Sequence, residues 1–175
     1  MSEWVFFEKL VEVNTPRMLE VQTQAEIDTM VAAVKQNAKT TGLDPRAIFA
    51  LIIQESKGNV RIHAGDGGRS KGLMQIHSGP TCENIENCSS DLIQSMVSTG
   101  TLGNQYASGL KTCYDRYGKD YAKAFRCYNS GSVINELDLV QAGVSTPSYV
   151  SDVGNRLRGV VEPEKNCAYP APGPG

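Results

Sequence analysis

The sequence predicts a mainly α domain: a bundle of helices with a glycine-rich lobe inserted after the second of them, holding at most a short β-hairpin. Three observations carry this. Two segments open with helix-start signals, Thr23 followed three residues later by Glu26, and Asp44 followed by Pro45. Apolar residues then recur at steps of three and four along much of the chain. Between them, residues 57–82 hold Gly58, Gly65, Gly67, Gly68, Gly72 and Gly79, too much glycine for a regular helix. A chain of 175 residues fits one such domain.

Taken in order, residues 1–22 read as an arm packed on the domain, anchored by Trp4, Phe6 and Phe7 and broken at Pro16. The Thr23 capping box opens a helix whose stripe is Ile27, Met30, Val31, Val34 and Ala38, ending near Gly42. Asp44 caps a second helix from Pro45 to about Ser56. The lobe follows, with a hairpin expected around Gly67-Gly68. Leu92, Ile93, Met96 and Val97 predict a helix stopped at Gly100. Leu102, Tyr106, Leu110, Cys113 and Tyr117 step by four, four, three and four, which predicts another stopped by Gly118. Tyr121, Ala124, Phe125 and Tyr128 give a short buried helix ending at Gly131, and a last one runs from about Ser148 to Val160. The domain is therefore set at residues 23–165, with a flexible Pro/Gly-rich tail expected at 166–175.

Composition excludes several functions. The 17 basic and 19 acidic residues leave a net charge of −2, with no broad electrostatic footprint for nucleic acid. No window approaches the roughly 18 consecutive apolar residues of a membrane helix. The five cysteines, Cys82, Cys88, Cys113, Cys127 and Cys167, form no zinc-knuckle pattern, and His63 and His77 stand isolated, so no metal and no cofactor are expected. Two disulfides plus one free thiol in a secreted protein is the preferred reading over a reduced cytosolic one, and Cys82–Cys88 is the shortest candidate bridge. The opening MSEWVFFEKL lacks the order of a signal peptide, so either a leader is replaced by a starting methionine in this chain or the export reading is wrong. A monomer is expected.

One carboxylate is out of place. Ile48, Leu51, Ile52 and Glu55 sit at i, i+3, i+4 and i+7, so Glu55 continues a buried stripe. Lost hydration there disfavours the ionised form and raises the pKa, as a general acid near neutral pH requires. The plain alternative is a helix-end glutamate turned to solvent or paired with Lys57 or Arg61. Eleven residues on, Asp66 lies in the polar run Ala64-Gly65-Asp66-Gly67-Gly68. Two carboxylates in contrasting surroundings suit the acid and base of glycosidic cleavage. An Asp-Gly pair is equally a common hairpin turn.

Three motifs in register sharpen this: Gln54-Glu55-Ser56, Lys71-Gly72-Leu73-Met74-Gln75-Ile76, and Ala124 through Tyr128-Asn129-Ser130-Gly131. Over roughly residues 45–160 the chain resembles the lytic transglycosylase and goose-type lysozyme superfamily, whose E-S, G-L-M-Q and Y-N-x-G runs occur in this order. The Cys82–Cys88 loop and the Tyr-Asn-Ser-Gly-Ser ending are most similar to its small secreted fungal members. The resemblance implies an α+β lysozyme-like fold. It implies that Glu55 is the catalytic acid, Ser56 the serine supporting it, and Gln75 a cleft glutamine with Leu73 and Met74 beneath. Tyr128 matches the tyrosine near the carboxylate, and Asn129 the neighbour that shapes the sugar site. Asp66 resembles the first of two assisting aspartates of goose-type lysozymes. His77 stands where the second would be, and is grouped with the substrate-binding residues. Gly72 is expected to let the backbone approach a sugar.

The implied activity is muramidase-type hydrolysis of β-1,4 bonds in peptidoglycan, inverting, with Glu55 as acid and Asp66 as base. The alternatives are lytic transglycosylation to an anhydro sugar and endo-hydrolysis of chitin or β-mannan. A third is a non-catalytic sugar-binding module.

Overall fold

The computed structural model describes residues 3–140 and 145–162. The predicted tail at 166–175, Cys167 and the far edge of the 23–165 domain lie outside the described residues.

The architecture is mainly α with one small hairpin. Among the described residues there are seven helices: α1 (Phe7–Met18), α2 (Gln24–Thr41), α3 (Pro45–Ser56), α4 (Ser90–Leu102), α5 (Leu110–Arg116), α6 (Tyr121–Ser130) and α7 (Tyr149–Leu157). The lobe carries β1 (Ser70–Lys71) and β2 (Ile76–His77), paired antiparallel with Ser70 opposite His77. No described helix is long and apolar enough to cross a membrane.

The helix starts follow the local chemistry. At α2 both halves of the capping box form: Thr23 Oγ1 accepts from the Glu26 N–H, and Glu26 accepts from the Thr23 N–H at 2.9 Å. Gly42 closes that helix in the left-handed region. Asp44 caps α3 by accepting from the Arg46 N–H at 2.9 Å, and Pro45 takes the first turn. α3 is the central element, with Ala47 through Ile53 all buried. It packs on α1, α2 and α7. Each of its fully buried large aliphatics contributes roughly 1.5–3 kcal/mol.

Several expectations are corrected. Most of the N-terminal segment is helix α1, which runs through Pro16. The proline sits in the last turn, so it ends the helix two residues later rather than breaking it. Trp4 packs edge-on against Tyr121 and Phe7 against Phe49, but Phe6 is 83% exposed and anchors nothing. The hairpin turns over Gly72–Gln75, not Gly67-Gly68, where a single 3-10 turn (Asp66–Gly68) is closed by an isolated Gly65–Ser70 bridge. α4 does not stop at Gly100 but runs to Leu102, with Gly103 at its end. Gly100 is there for packing, since a Cβ would lie 2.3 Å from Met74 Sδ and 2.4 Å from Met74 Cβ. No helix spans Leu102 to Tyr117. The backbones of Gly103 and Gly109 touch, where a Cβ on Gly109 would lie 2.2 Å from the Gly103 nitrogen. That contact folds 103–109 into a tight loop, so α5 begins only at Leu110. α7 ends at Leu157 rather than Val160.

Among the described residues two disulfides form, Cys82–Cys88 in the loop before α4 and Cys113–Cys127 between α5 and α6, with Cα atoms 5.6 and 5.7 Å apart. The first was the expected shortest bridge. The partner pairing of the second needed the fold.

Candidate active site

A cleft of about 280 Å³ opens between the lobe and the helices. Its walls include Glu55 from α3, Asp66, Gln75 and His77 from the lobe, Ser108 from the 103–109 loop, and Tyr128 and Asn129 from α6. Six of the seven residues singled out from the sequence therefore meet here. Ser56 does not. It is buried, its Oγ donates to the Ile52 carbonyl at 3.0 Å and accepts from the Gly58 N–H at 3.2 Å, so it finishes the helix on which Glu55 rides.

Glu55 occupies the last turn of α3, half-buried, with its carboxyl turned into the cleft. Burial pushes its pKa from 4.5 up to about 7, and the nearby Asp66 charge adds to the rise. The Tyr149 hydroxyl and the Lys57 charge oppose it. The hydroxyl donates to Glu55 Oε1. Tyr149, at the start of α7, is the site residue that sequence reasoning missed. It lies 94 positions from Glu55, and no motif flanks it; the only signal was its place at the head of an amphipathic stripe with Val153 and Leu157.

Asp66 is exposed in the opposite wall and accepts from Ser70 Oγ at 2.6 Å on Oδ2. It adopts a left-handed φ of 49°, and Gln75 does the same at 45°. Non-glycine residues held there are strained, and both face the cleft. Gln75 clamps the lobe: its Oε1 accepts from the Gly65 N–H at 3.0 Å and its Nε2 donates to the Gly72 carbonyl at 3.1 Å. Both ends of the amide are thus engaged by backbone.

Tyr128 donates to the Met74 carbonyl at 2.7 Å, tying α6 to the lobe, and burial beside Glu55 pushes its phenol well up. Leu73 and Met74 lie fully buried beneath. Asn129 accepts from the buried Arg126 through Oδ1. The His77 ring meets Tyr106 edge-on at 5.5 Å, and its Nδ1 lies 3.3 Å from Ser78 Oγ. Gly72 does not approach the cleft. Its φ is +69°, and a Cβ would lie 2.3 Å from the Pro80 carbonyl oxygen, so it is required by packing within the lobe.

A carboxyl protonated near neutrality, facing a second carboxylate across a groove lined with amide and hydroxyl groups, can donate a proton to a bridging oxygen. The family model for the transglycosylase SLT domain matches residues 32–143, spanning Glu55, the whole lobe and the Tyr128-Asn129 run. The chain belongs to the transglycosylase SLT domain family. This SLT domain is accordingly a member of the lytic transglycosylase and lysozyme-like superfamily, as its motifs implied. No curated protein and no solved structure matches the chain. Tyr149 falls beyond the matched stretch, as does α1.

Proposed function

We propose that this SLT domain hydrolyses β-1,4 glycosidic bonds of peptidoglycan, with Glu55 as general acid and Asp66 as general base. The observation that carries the reading is the Glu55 carboxyl, raised to about 7 by burial at the inner wall of the cleft. It gives its proton to the bridging oxygen as the bond from that oxygen to the anomeric carbon breaks. Asp66 takes a proton from a water that attacks the same carbon from the far face, so the product is inverted and one water is consumed. Proton exchange with solvent restores both carboxyls. General-acid catalysis of this kind contributes on the order of 10²–10⁴-fold.

A second reading is favoured by the family matched. Asp66 already accepts from Ser70, and if it stays so engaged, Glu55 acts first as acid and then as base. An internal hydroxyl of the sugar then replaces water, and the product is an anhydro sugar.

The two disulfides fit an oxidising, extracellular compartment. Residues 23–165 are the proposed catalytic unit, and residues 1–22 brace it: the Val5 N–H donates to the Leu157 carbonyl at 3.0 Å, and no described residue of the segment lines the cleft. We expect a monomer.

The test is digestion of purified peptidoglycan with mass analysis of the fragments. Hydrolysis yields products heavier by one water than those of transglycosylation. Chitin oligomers and mannan in parallel rank the substrates. Glu55→Gln is expected to abolish turnover while oligosaccharide binding persists; unchanged turnover removes Glu55 from the acid role.

A further inference from the structure

The wall that carries Asp66 is held differently along its two arms. The far arm is tied to the helical body: Tyr128 donates to the Met74 carbonyl at 2.7 Å, and Asn104 Nδ2 donates to the His77 carbonyl at 2.8 Å. The near arm leaves α3 through residues 61–64, which belong to no helix or strand, and it leans on the loop closed by Cys82–Cys88.

Two side chains make that contact. Arg61 reaches from the arm to the loop, where Nε donates to the Ile85 carbonyl at 2.9 Å and Nη2 to the Glu86 carbonyl. Its Nη1 donates to Glu26 of the α2 capping box at 3.2 Å, so the arm is joined to the bundle as well. Glu83 reaches back from the loop. Its Oε2 accepts from the Ala64 N–H at 3.3 Å, and its Oε1 lies 2.9 Å from His63 Nδ1. The hydrogen bond with His63 holds the Glu83 carboxyl below its ordinary range, and the Ala64 N–H and the Lys71 charge act in the same direction. An ionised carboxylate only accepts, so both of its oxygens serve the arm.

Glu83 is itself well placed. Thr81 Oγ1 accepts from its N–H at 3.0 Å, the Ile85 N–H donates to the Cys82 carbonyl at 2.9 Å, and the disulfide closes the loop around it. Two residues after Ala64 the chain reaches Asp66 with its left-handed φ of 49°. A non-glycine residue stays in that region only where its neighbours over-determine it. On the downstream side the Gly65–Ser70 bridge and the Ser70 hydroxyl do so. On the upstream side the fixed point is Ala64, held through Glu83.

We propose that Glu83 is the positioning residue for Asp66: from the disulfide-closed loop it holds the Ala64 N–H and so fixes the arm that presents the aspartate to the groove. Glu83 is not part of the cleft wall, and it acts only through the backbone between Ala64 and Asp66. The proposal rests on the reading of Asp66 as general base and deepens it. A base displaced by even about 1 Å loses much of its rate advantage while the sugar contacts of the remaining wall persist, so the signature is a loss in kcat rather than in KM.

The experiment is a double-mutant cycle on a soluble peptidoglycan oligomer. Glu83→Ala is expected to lower kcat about tenfold and to change KM less than about twofold. Glu83→Gln keeps an acceptor for the Ala64 N–H and is expected to restore kcat to within about threefold of the parent. In an Asp66→Asn background, where the base is already lost, adding Glu83→Ala is expected to lower kcat by less than about twofold. Equal losses in the two backgrounds would make Glu83 a general prop of the fold and overturn the proposal, as would full kcat in Glu83→Ala or no recovery in Glu83→Gln. In each of those cases a low kcat for Asp66→Asn alone leaves the base reading standing. If Asp66→Asn turns over as fast as the parent, the base reading fails, and the role of Glu83 with it.

Discussion

The Arg126 guanidinium lies 5.8 Å from the centre of the Tyr149 ring, and the hydroxyl of that ring donates to Glu55. Arg126 is fully buried, and its Nη atoms also donate to the Leu139 and Thr146 carbonyls at 3.1 Å and to Asn129 Oδ1. One cation in the core thus supports the partner of the acid from one side and a cleft amide from the other.

Arg126→Met is therefore expected to lower both stability and turnover. The substitution keeps bulk but strands the Leu139 and Thr146 carbonyls without donors, at a cost of about 2–4 kcal/mol. Denaturant unfolding measures the first effect, and kcat at a temperature where the variant is folded measures the second. Arg126→Lys, which restores charge but not the fork of donors, is expected to recover only a minor share.

Tyr149→Phe removes the donor while keeping the ring. The hydroxyl favours the ionised carboxyl, so without it the Glu55 pKa moves further above 7. The alkaline limb of the pH–rate profile is expected to shift to higher pH, and kcat to fall about tenfold from loss of orientation. A limb that stays in place would mean that the hydroxyl does not act on the titrating group.

The buried acid also sets a pH dependence of stability. The folded pKa of about 7 exceeds the ordinary 4.5, so between these values the unfolded chain ionises while the folded one stays protonated. The stability Glu55 allows is full below pH 4.5 and is lost as pH climbs through 7, by up to about 3 kcal/mol before discount for its exposed edge. Glu55→Gln has no such loss. Its thermal midpoint is expected to match the parent at pH 4 and exceed it at pH 8.

Gly100→Ala tests the packing of α4 on the lobe. Helix propensity alone favours alanine by about 1 kcal/mol. The added methyl would meet Met74 Cβ at 2.4 Å, a rigid part of that side chain, so a net loss of about 1–3 kcal/mol is expected in urea unfolding. A stabilised variant would show that Met74 yields freely.

What could be read from the sequence was whatever is written within a dozen residues. The α2 capping box, the Asp44-Pro45 start and the stripe that carries Glu55 inward are local patterns, and they fold as read. Gly100 and Gly103 look alike in sequence, yet one sits inside a helix against Met74 and the other ends it, because the deciding neighbour lies far along the chain. The apparent stripe from Leu102 to Tyr117 is a chance period: Tyr106 faces solvent, and Asn104 bonds into the loop instead. Ser56 and Gln75 carry the right motif letters, but their polar atoms are spent on backbone groups, Ser56's on Ile52 and Gly58 at its own helix end and Gln75's on Gly65 and Gly72 of the folded lobe. Tyr149 was invisible for the same reason in reverse.

Glu55 is mounted on α3, whose residues Ala47 through Ile53 are walled in by protein on every side. Such a mount cannot loosen early. Amide deuteration along it should be the slowest in the molecule, and on warming the enzyme should keep working until the whole domain gives way at once, with no dormant, half-melted form in between.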